Sequence, residues 1–205
     1  VAEHVICMML ALSKGLSSYD YEVRSGNFKQ NASNIETLEL YNKEILIVGF
    51  GRIGKSLIKR CLGLEMKVNI FDPYVSTEVI KSFGGNKIEN LDMGIQSCDY
   101  LSLHTPLNDK TKNMINYSKL KTMKKNAVLI NTSRGGIINE IDLNKALNEN
   151  IVFGAGLDVF EREPIDENNP LKKNKKVLLS PHSATFTNEC KSRMSIETTK
   201  NIIDF

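Results

Sequence analysis

From Lys43 onward, short apolar runs alternate with stretches of helical periodicity. An apolar run without strict alternation is typical of a strand buried on both faces, and strands separated by helices are typical of a parallel sheet. The pattern predicts an α/β fold with a doubly wound parallel sheet and helices on both faces. The predicted strands are Glu44–Gly49, Lys67–Phe71, Tyr100–His104, Ala127–Asn131, Gly154–Val159 and Val177–Ser180.

Helical patterns connect several of these strands. The periodicity predicts helices over Arg52 to about Leu64, over Ser76–Phe83 and over Glu140–Asn148, with Asn139 as the N-cap of the last one. A single domain of this kind accounts for nearly everything from residue 43 to residue 205. Residues 1–42 are predicted to form a separate entry helix and arm.

The first 42 residues do not follow the strand–helix rhythm. The opening segment, VAEHVICMMLALSKGL, contains Glu3 and His4 and has no basic leader, so it predicts an amphipathic or buried helix rather than a signal sequence. The polar stretch from about Ser17 to Asn42 is long for a connection inside a compact domain, so it is predicted to be irregular and to wrap a surface or a partner. The missing initiator Met indicates a sequence that begins inside a longer protein.

Composition and charge argue against several classes of function. Apolar residues make up 41% and charged residues 25% of the 205 positions, which is ordinary for a globular protein. The net charge is +3 and the lysines are not interleaved with aromatics, so solvated faces are favoured over a nucleic-acid site. No apolar run reaches the roughly 18 residues that cross a membrane. The four cysteines form no C-x-x-C unit, which predicts no metal site and favours free thiols in the cytoplasm.

The strand Glu44–Gly49 runs into GFGRIG, where Gly49, Gly51 and Gly54 fit the spacing G-x-G-x-x-G. The match follows a strand, opens a helix and has Asp72 at the end of the next strand, which is the context of a dinucleotide-binding, Rossmann-type fold. The glycines allow a tight turn, a close backbone approach to a pyrophosphate and close packing of helix on strand. Asp72 would bind a ribose diol and repel a 2′-phosphate, so the predicted cofactor is NAD rather than NADP.

Polar side chains follow the later strands at the points where they end. The sequence HTP (residues 104–106) ends one strand and Arg134 follows the next. The third strand carries Asp158 near its end and leads to Glu163, and His182 follows the last strand. Ligands of a doubly wound sheet bind beyond the carboxyl ends of its strands. Each residue alone fits a structural role, but together they are predicted to lie beside the nicotinamide.

These residue types suit a hydride transfer between a carbon that bears a hydroxyl group and NAD. A histidine can manage the hydroxyl proton near neutral pH, and a carboxylate against its far ring nitrogen orients the imidazole. An arginine can hold a substrate carboxylate with two parallel hydrogen bonds and polarise the reacting carbonyl. The sequence therefore predicts Arg134, Glu163 and His182 as the catalytic set of an oxidoreductase.

With these motifs in hand, the sequence resembles the D-isomer-specific 2-hydroxyacid dehydrogenases. The matching segments occur in the family's order over nearly the whole chain: VAEHVICMMLAL, ILIVGFGRIGKSLIKR, FDPY, LSLHTPLNDKTKNMIN, KKNAVLINTSRGGIINE, GAGLDVFEREP, NPL and LLSPHSAT. The resemblance implies that Arg134 binds the substrate carboxylate and carbonyl, that His182 is the acid/base and that Glu163 is its partner.

The resemblance also implies a set of residues around the cofactor. These are Arg52 and Ile53 at the pyrophosphate with Gly49, Gly51 and Gly54, then Asp72 and Pro73 at the ribose, Thr105 and Pro106 near the cofactor, Thr132, Ser133 and Arg134 on the nicotinamide side, Asp158 at the nicotinamide carboxamide, and His182 and Ala184.

Further expectations come from the resemblance, together with one departure from the family's pattern. The family's substrate domain is absent from this chain, so half of the substrate pocket is not in this sequence. The first helix and the adjoining arm, residues 1–42, are expected to form a homodimer interface, and TNECKSRMSIETTKNIIDF is expected to be the closing helix. The loop after His182 departs from the family's common PHIGG pattern, because Ser183, Ala184, Thr185 and Phe186 follow the histidine.

Three alternatives stay open at this point. Within the enzymes of the family, D-3-phosphoglycerate dehydrogenase of serine biosynthesis is favoured, with a glyoxylate/hydroxypyruvate reductase as the alternative. An alternative from another functional class is an NAD-sensing co-repressor or scaffold, because the family includes such proteins. The third is a cofactor-binding fragment without activity of its own.

Overall fold

The computed structural model describes residues 1–28 and 35–203, and within them seven parallel strands form one sheet. The strand order is β3-β2-β1-β4-β5-β6-β7. The chain therefore builds one half of the sheet outward from β1 and then the other half outward from β4, which confirms the predicted doubly wound topology. The strands are β1 (Glu44–Val48), β2 (Lys67–Phe71), β3 (Asn86–Lys87), β4 (Tyr100–Leu103), β5 (Val128–Asn131), β6 (Gly154–Leu157) and β7 (Val177–Leu179).

The helices include all those that the sequence pattern predicts. Asn139 caps the helix after β5 by accepting a hydrogen bond from the amide of Asp142 at 3.0 Å. Ser76 caps the helix after β2 in the same way, through the amide of Val79. The helices are α1 (Ala2–Ser13), α2 (Leu16–Arg24), α3 (Arg52–Gly63), α4 (Thr77–Ser82), α5 (Leu91–Ser97), α6 (Tyr117–Leu120), α7 (Glu140–Asn148) and α8 (Asn188–Ile203), with a 3-10 turn at Pro170–Lys173.

The prediction of an irregular stretch from Ser17 to Asn42 is wrong for residues 17–24. Leu16–Arg24 forms helix α2, in which Arg24 pairs with Asp20 one turn earlier at 2.8 Å. No residue of α2 is buried, so it has no apolar face turned to a core from which a helix could be recognised in the sequence. Residues 29–34 of the predicted arm lie outside the described residues.

Alternate side chains of the central strands enter two separate cores, one on each face of the sheet. In β1, Ile45 and Ile47 pack into the core under α1 and α3, whereas Leu46 and Val48 pack into the core on the opposite face. Successive side chains of a strand point to opposite faces, so an uninterrupted apolar run marks a strand that is covered on both sides.

Helix α1 packs into the first of these cores with one face, which agrees with the prediction of an amphipathic or buried helix. Val5, Met8 and Met9 are buried, and α1 packs on α3 and across β5 and β6. Gly156 of β6 lies so close to α1 that a Cβ atom there would stand 3.0 Å from the sulfur of Met8. The described residues contain no helix both long and apolar enough to cross a membrane.

Candidate active site

The glycine-rich turn joins β1 to α3 at the carboxyl edge of the sheet. Gly49 has φ +97°, and a Cβ atom there would stand 2.5 Å from the carbonyl oxygen of His104. A Cβ atom on Gly54 would stand 2.4 Å from the carbonyl oxygen of Gly49, so both positions require glycine. Gly51 differs, because nothing lies within 4 Å of the position that its Cβ would take.

The space in front of Gly51 lies at the N-terminus of α3. Gly51 is the N-cap of α3 and no side chain caps the helix there, which leaves amide groups and the positive end of the helix dipole free for an anion. Arg52 is exposed and Ile53 half-buried on the first turn. These features fit a pyrophosphate at this turn.

Asp72 lies at the end of β2, beside the glycine turn. Its carboxylate accepts hydrogen bonds from the amides of Phe50 and Tyr74, both at 2.8 Å. The first bond ties the end of β2 to the glycine turn, and the second fixes the turn that contains Pro73. The carboxylate is thereby oriented at the edge where a ribose would lie, while Pro73 is exposed.

Buried polar atoms without a hydrogen-bond partner cluster at the ends of β4 and β5. Among the described residues these are Nδ1 of His104 and the hydroxyl oxygens of Thr105 and Thr132. The other ring nitrogen of His104 lies 2.8 Å from Oγ of Ser102. Buried polar groups are nearly always hydrogen-bonded, so unpaired ones at the ligand edge of a Rossmann fold fit a polar ligand such as a nicotinamide.

Burial lowers the pKa of His104 to about 4, so this imidazole is neutral at physiological pH. The sequence places His104 at this edge of the sheet, as part of HTP (residues 104–106), but gives it no catalytic or cofactor role. The signal that could have identified it is its place directly after an apolar strand, immediately before Thr105 and Pro106, which were assigned.

Arg134 projects from the turn after β5, and the turn is built by Asn131. The Asn131 side chain accepts bonds from the amide and hydroxyl of Ser133 at 3.1 and 2.8 Å and donates to the carbonyl of Arg134 at 2.9 Å. Gly135 passes so close to Phe160 that a Cβ atom there would stand 1.7 Å from its carbonyl oxygen, and Gly136 has φ +78°.

This turn leaves the Arg134 guanidinium exposed, with one hydrogen bond to the carbonyl of Ser133 at 2.6 Å. No carboxylate among the described residues forms an ion pair with Arg134. The Arg134 guanidinium, at the carboxyl edge of the sheet, is therefore available to bind an anionic ligand.

His182 and Glu163 are in direct contact, as the sequence analysis predicts. Nδ1 of His182 lies 2.7 Å from Oε2 of Glu163, and the amide of Phe160 donates to Oε1 of Glu163 at 3.1 Å. His182 has φ +52°, a left-handed conformation that costs free energy in a residue with a side chain. Its Nε2 is left as the ring nitrogen that can serve a substrate.

Asp158 occupies the centre of a buried network next to this pair. Its carboxylate is fully buried and accepts bonds from the Ser180 hydroxyl at 2.5 Å and from the amides of Ser183 and Ala184 at 2.8 and 2.9 Å. His4 of α1 reaches the same group. The structure thus places Asp158 as the anchor of the loop after His182, and His4 and Ser180 are neighbours that sequence reasoning did not assign.

Comparison with known proteins gives a family for the chain. The family model for the D-isomer specific 2-hydroxyacid dehydrogenase, NAD binding domain, matches residues 6–184. The chain belongs to this family, as its motifs suggested, and it forms an NAD-binding domain.

The similar proteins include enzymes with different substrates. The chain is 35% identical over 206 residues to a glyoxylate reductase of Korarchaeum cryptofilum, covering 100% of this chain and 62% of that protein. It is 34% identical over 189 residues to a D-3-phosphoglycerate dehydrogenase of Methanocaldococcus jannaschii, covering 92% of this chain and 36% of that protein. A D-lactate dehydrogenase of Aquifex aeolicus, solved with NAD and lactic acid, superposes with a TM-score of 0.89 at 31% identity and covers 98% of this chain and 64% of that one.

Proposed function

We propose that the protein carrying this chain is an NAD-dependent oxidoreductase that acts on the CH–OH group of a D-2-hydroxy acid. The observation that carries the proposal is the contact of His182 with Glu163 at 2.7 Å, at the sheet edge from which Arg134 also projects without an ion pair among the described residues. Bound NAD supplies the hydride acceptor, or NADH the donor, for this chemistry. The residues of the chain position the acid and manage its proton.

Arg134 is the residue that we assign to the substrate carboxylate. A guanidinium can form two parallel hydrogen bonds to a carboxylate, which fixes both the place and the orientation of a small acid. The backbone bond to Ser133 uses Nη1 of Arg134 and leaves the other guanidinium N–H groups for a ligand. The tight packing of Gly135 under Phe160 holds this turn, so the position of the arginine is defined by backbone contacts.

His182 is the residue that we assign to the proton of the hydroxyl group. When Nδ1–H donates to the Glu163 carboxylate, Nε2 is the atom that accepts or releases a proton at the substrate. Glu163 is itself held by the Phe160 amide, so it fixes the imidazole plane. General acid–base catalysis of this kind contributes roughly 100- to 10,000-fold to a rate.

The cofactor site favours NAD over NADP in this proposal. The Asp72 carboxylate is the acidic group at the end of β2, and a negative charge there binds a ribose diol and repels a 2′-phosphate. Cofactor contacts are assigned to the turn at Gly51, to Thr105 and to Thr132, because the space and the unpaired polar atoms lie there.

For the substrate, we keep D-3-phosphoglycerate as the first candidate and glyoxylate or hydroxypyruvate as the second. Relatives of both kinds match this chain at similar identity, 34% and 35%. The chain spans 36% of the one relative and 62% of the other, and the remaining part of each relative has no counterpart in this sequence. The domain described here supports the chemistry common to both.

A homodimer is proposed through residues 1–42 and neighbouring surface, and the cytoplasm as the compartment. Large apolar side chains that are exposed on this segment support a protein contact: Leu16, Tyr21, Val23, Phe28 and Tyr41. Burying such side chains against a second copy would remove apolar area from water.

The decisive experiment is a substrate panel assayed with the protein that carries this chain. NADH oxidation is measured with glyoxylate, hydroxypyruvate and pyruvate, and NAD reduction with 3-phosphoglycerate. Turnover of one of these acids that is lost on Arg134→Ala and on His182→Ala supports the proposal. If NADH binds but no acid is turned over, the co-repressor or scaffold alternative replaces it. If NADH does not bind and no acid is turned over, a cofactor-binding role is ruled out as well.

A further inference from the structure

His4 lies next to the loop that contains His182 and contacts Ser180 and Asp158. It lies in the first turn of α1, and its Nε2 stands 2.9 Å from Oγ of Ser180 and 3.5 Å from Oδ1 of Asp158. Its side chain is 24% exposed, whereas the Asp158 side chain is fully buried. Among the residues that the structure describes, His4 is the only basic group paired with Asp158.

The hydrogen atoms of this network can be assigned from its chemistry. An ionised carboxylate only accepts, so the Ser180 hydroxyl donates its single hydrogen to Oδ1 of Asp158 at 2.5 Å. The Ser180 oxygen must then accept from His4, which therefore has its hydrogen on Nε2. The chain of donors runs from His4 through Ser180 to the buried carboxylate.

The same carboxylate fixes the backbone that follows the catalytic histidine. Asp158 accepts from the amides of Ser183 and Ala184, and the carbonyl of Ser180 accepts from the amide of His182 at 3.1 Å. His182 is therefore held from both sides in its left-handed conformation, φ +52°. A strained backbone persists only where the surrounding structure over-determines it.

Helix α1, which carries His4, is firmly packed in the fold. One turn beyond His4, Met8 and Met9 are buried in the core, and α1 packs on α3 and across β5 and β6. The His4 imidazole is thus presented from an element that is anchored on the sheet and on a neighbouring helix.

We propose that His4 is a positioning residue for the reaction. Through Ser180 and Asp158 it holds the loop of Ser183 and Ala184 in place, and the position of this loop fixes the orientation of the His182 imidazole. The inference rests on the proposed function for its kinetic consequence. Its structural consequence, the stability of the loop, does not depend on any activity. A displacement of about 1 Å at a reacting group can cost roughly 100-fold in rate.

The test compares His4→Leu with His4→Gln in the protein that carries this chain. The amide nitrogen of glutamine can replace Nε2–H as the donor to Ser180, whereas leucine cannot donate. We expect His4→Leu to lower kcat by about tenfold or more while the dissociation constant of NADH changes less than about threefold, and His4→Gln to restore most of kcat. Equal kcat in wild type and His4→Leu, or an equal loss in both variants, would overturn the proposal.

Hydrogen exchange provides a readout that needs no substrate. Exchange at the amides of Ser183 and Ala184 should be faster in His4→Leu by about tenfold or more and near normal in His4→Gln. The matched control is Glu3→Gln, which removes the ion pair of α1 with Arg60 but leaves the network intact, so exchange at these amides should not change. Unchanged exchange in a folded His4→Leu also overturns the proposal.

Two further measurements keep the outcomes separable. If His4→Leu does not fold, Ser180→Ala removes the bridging hydroxyl, and adding His4→Gln to it should change exchange and kcat no further, because both act through one connection. Independent, additive effects would overturn the proposal. If the exchange results agree with the proposal but no 2-oxo acid is turned over, the proposed function fails and the positioning of the loop stands.

Discussion

Oε2 of Glu163 lies 2.7 Å from Nδ1 of His182, and the amide of Phe160 holds the other oxygen of the same carboxylate. The carboxylate therefore binds a loop backbone with one atom and a candidate acid/base with the other. Such a contact selects the tautomer of the imidazole, because a carboxylate can accept only from Nδ1–H.

Glu163→Gln should lower kcat by roughly 100-fold or more without loss of NADH binding, because the amide can donate to Nδ1 and stabilise the wrong tautomer. Steady-state kinetics with the best acid of the substrate panel measures the effect. Glu167→Gln, an exposed carboxylate on the same loop, is the control and should behave as wild type. A Glu163→Gln enzyme with normal kcat would remove the carboxylate from the mechanism.

Arg134→Ala should abolish turnover while the dissociation constant of NADH stays within about threefold of wild type, because the main role assigned to the guanidinium is to bind the substrate carboxylate. Arg134→Lys should recover only part of the loss, since lysine lacks the planar pair of donors. Arg162→Ala is the matched control, since Arg162 is also exposed and forms only a surface pair with Asp166 at 3.1 Å. Near-normal turnover in Arg134→Ala would contradict the assignment.

Asp72→Asn should weaken the preference for NAD over NADP by about tenfold or more. The substitution removes the charge that repels a 2′-phosphate but keeps an acceptor for the Phe50 or Tyr74 amide, so it disturbs the glycine turn less than alanine. The ratio of kcat/KM for the two cofactors is the measurement. Asp92→Asn is the control, because it removes a negative charge from α5 that pairs with Lys119. It should leave the ratio unchanged. An unchanged ratio in Asp72→Asn would place the ribose elsewhere.

His104 should make the fold less stable in weak acid. Burial lowers its pKa to about 4 in the folded state, below the unfolded value of 6.5, so the unfolded chain binds the proton first. Its contribution is complete above pH 6.5 and is lost as pH falls from 6.5 towards 4, by roughly 3 kcal/mol in total. Urea unfolding at pH 7 and pH 5 measures this. His104→Gln should reduce the difference between the two pH values, and an unchanged difference would show that His104 titrates normally.

Gly135→Ala should destabilise the fold by roughly 4 kcal/mol or more, because its Cβ would stand 1.7 Å from the carbonyl oxygen of Phe160. Gly63→Ala is the matched control, since nothing lies within 4 Å of its Cβ position at the end of α3. That substitution should be neutral or stabilise by a few tenths to about 1 kcal/mol. Denaturant unfolding compares the two variants, and a mild effect at Gly135 would mean that the two turns can move apart.

Local patterns were sufficient for six of the seven strands in the described sheet and for the glycine turn. In β1 the apolar run predicts burial on both faces, and Gly49 and Gly54 stand where a Cβ would meet backbone. Strand β3 has only two residues and exists because Asn86 and Lys87 pair with β2, so no local run predicts it. Helix α2 buries nothing and gave no periodic signal.

The residues of the site also differ in how far the sequence predicts their contacts. Glu163 and His182 lie 19 positions apart and each follows a recognisable strand, so their contact could be expected once the sheet was predicted. His4 and Ser180 lie 176 positions apart, and His4 sits in a helix whose apolar residues dominate its pattern. Only the packing of α1 across β6 brings the two together, and no sequence spacing contains that information.

The chain has three histidines, and the structure places each in a different setting at the same edge of the sheet. His104 is shielded and neutral, His182 is half-exposed against a carboxylate, and His4 donates to a serine. Within this domain, isotope labelling of one amino-acid type therefore yields three separate NMR reporters: one near the expected nicotinamide, one at the expected substrate, and one on the helix below the loop.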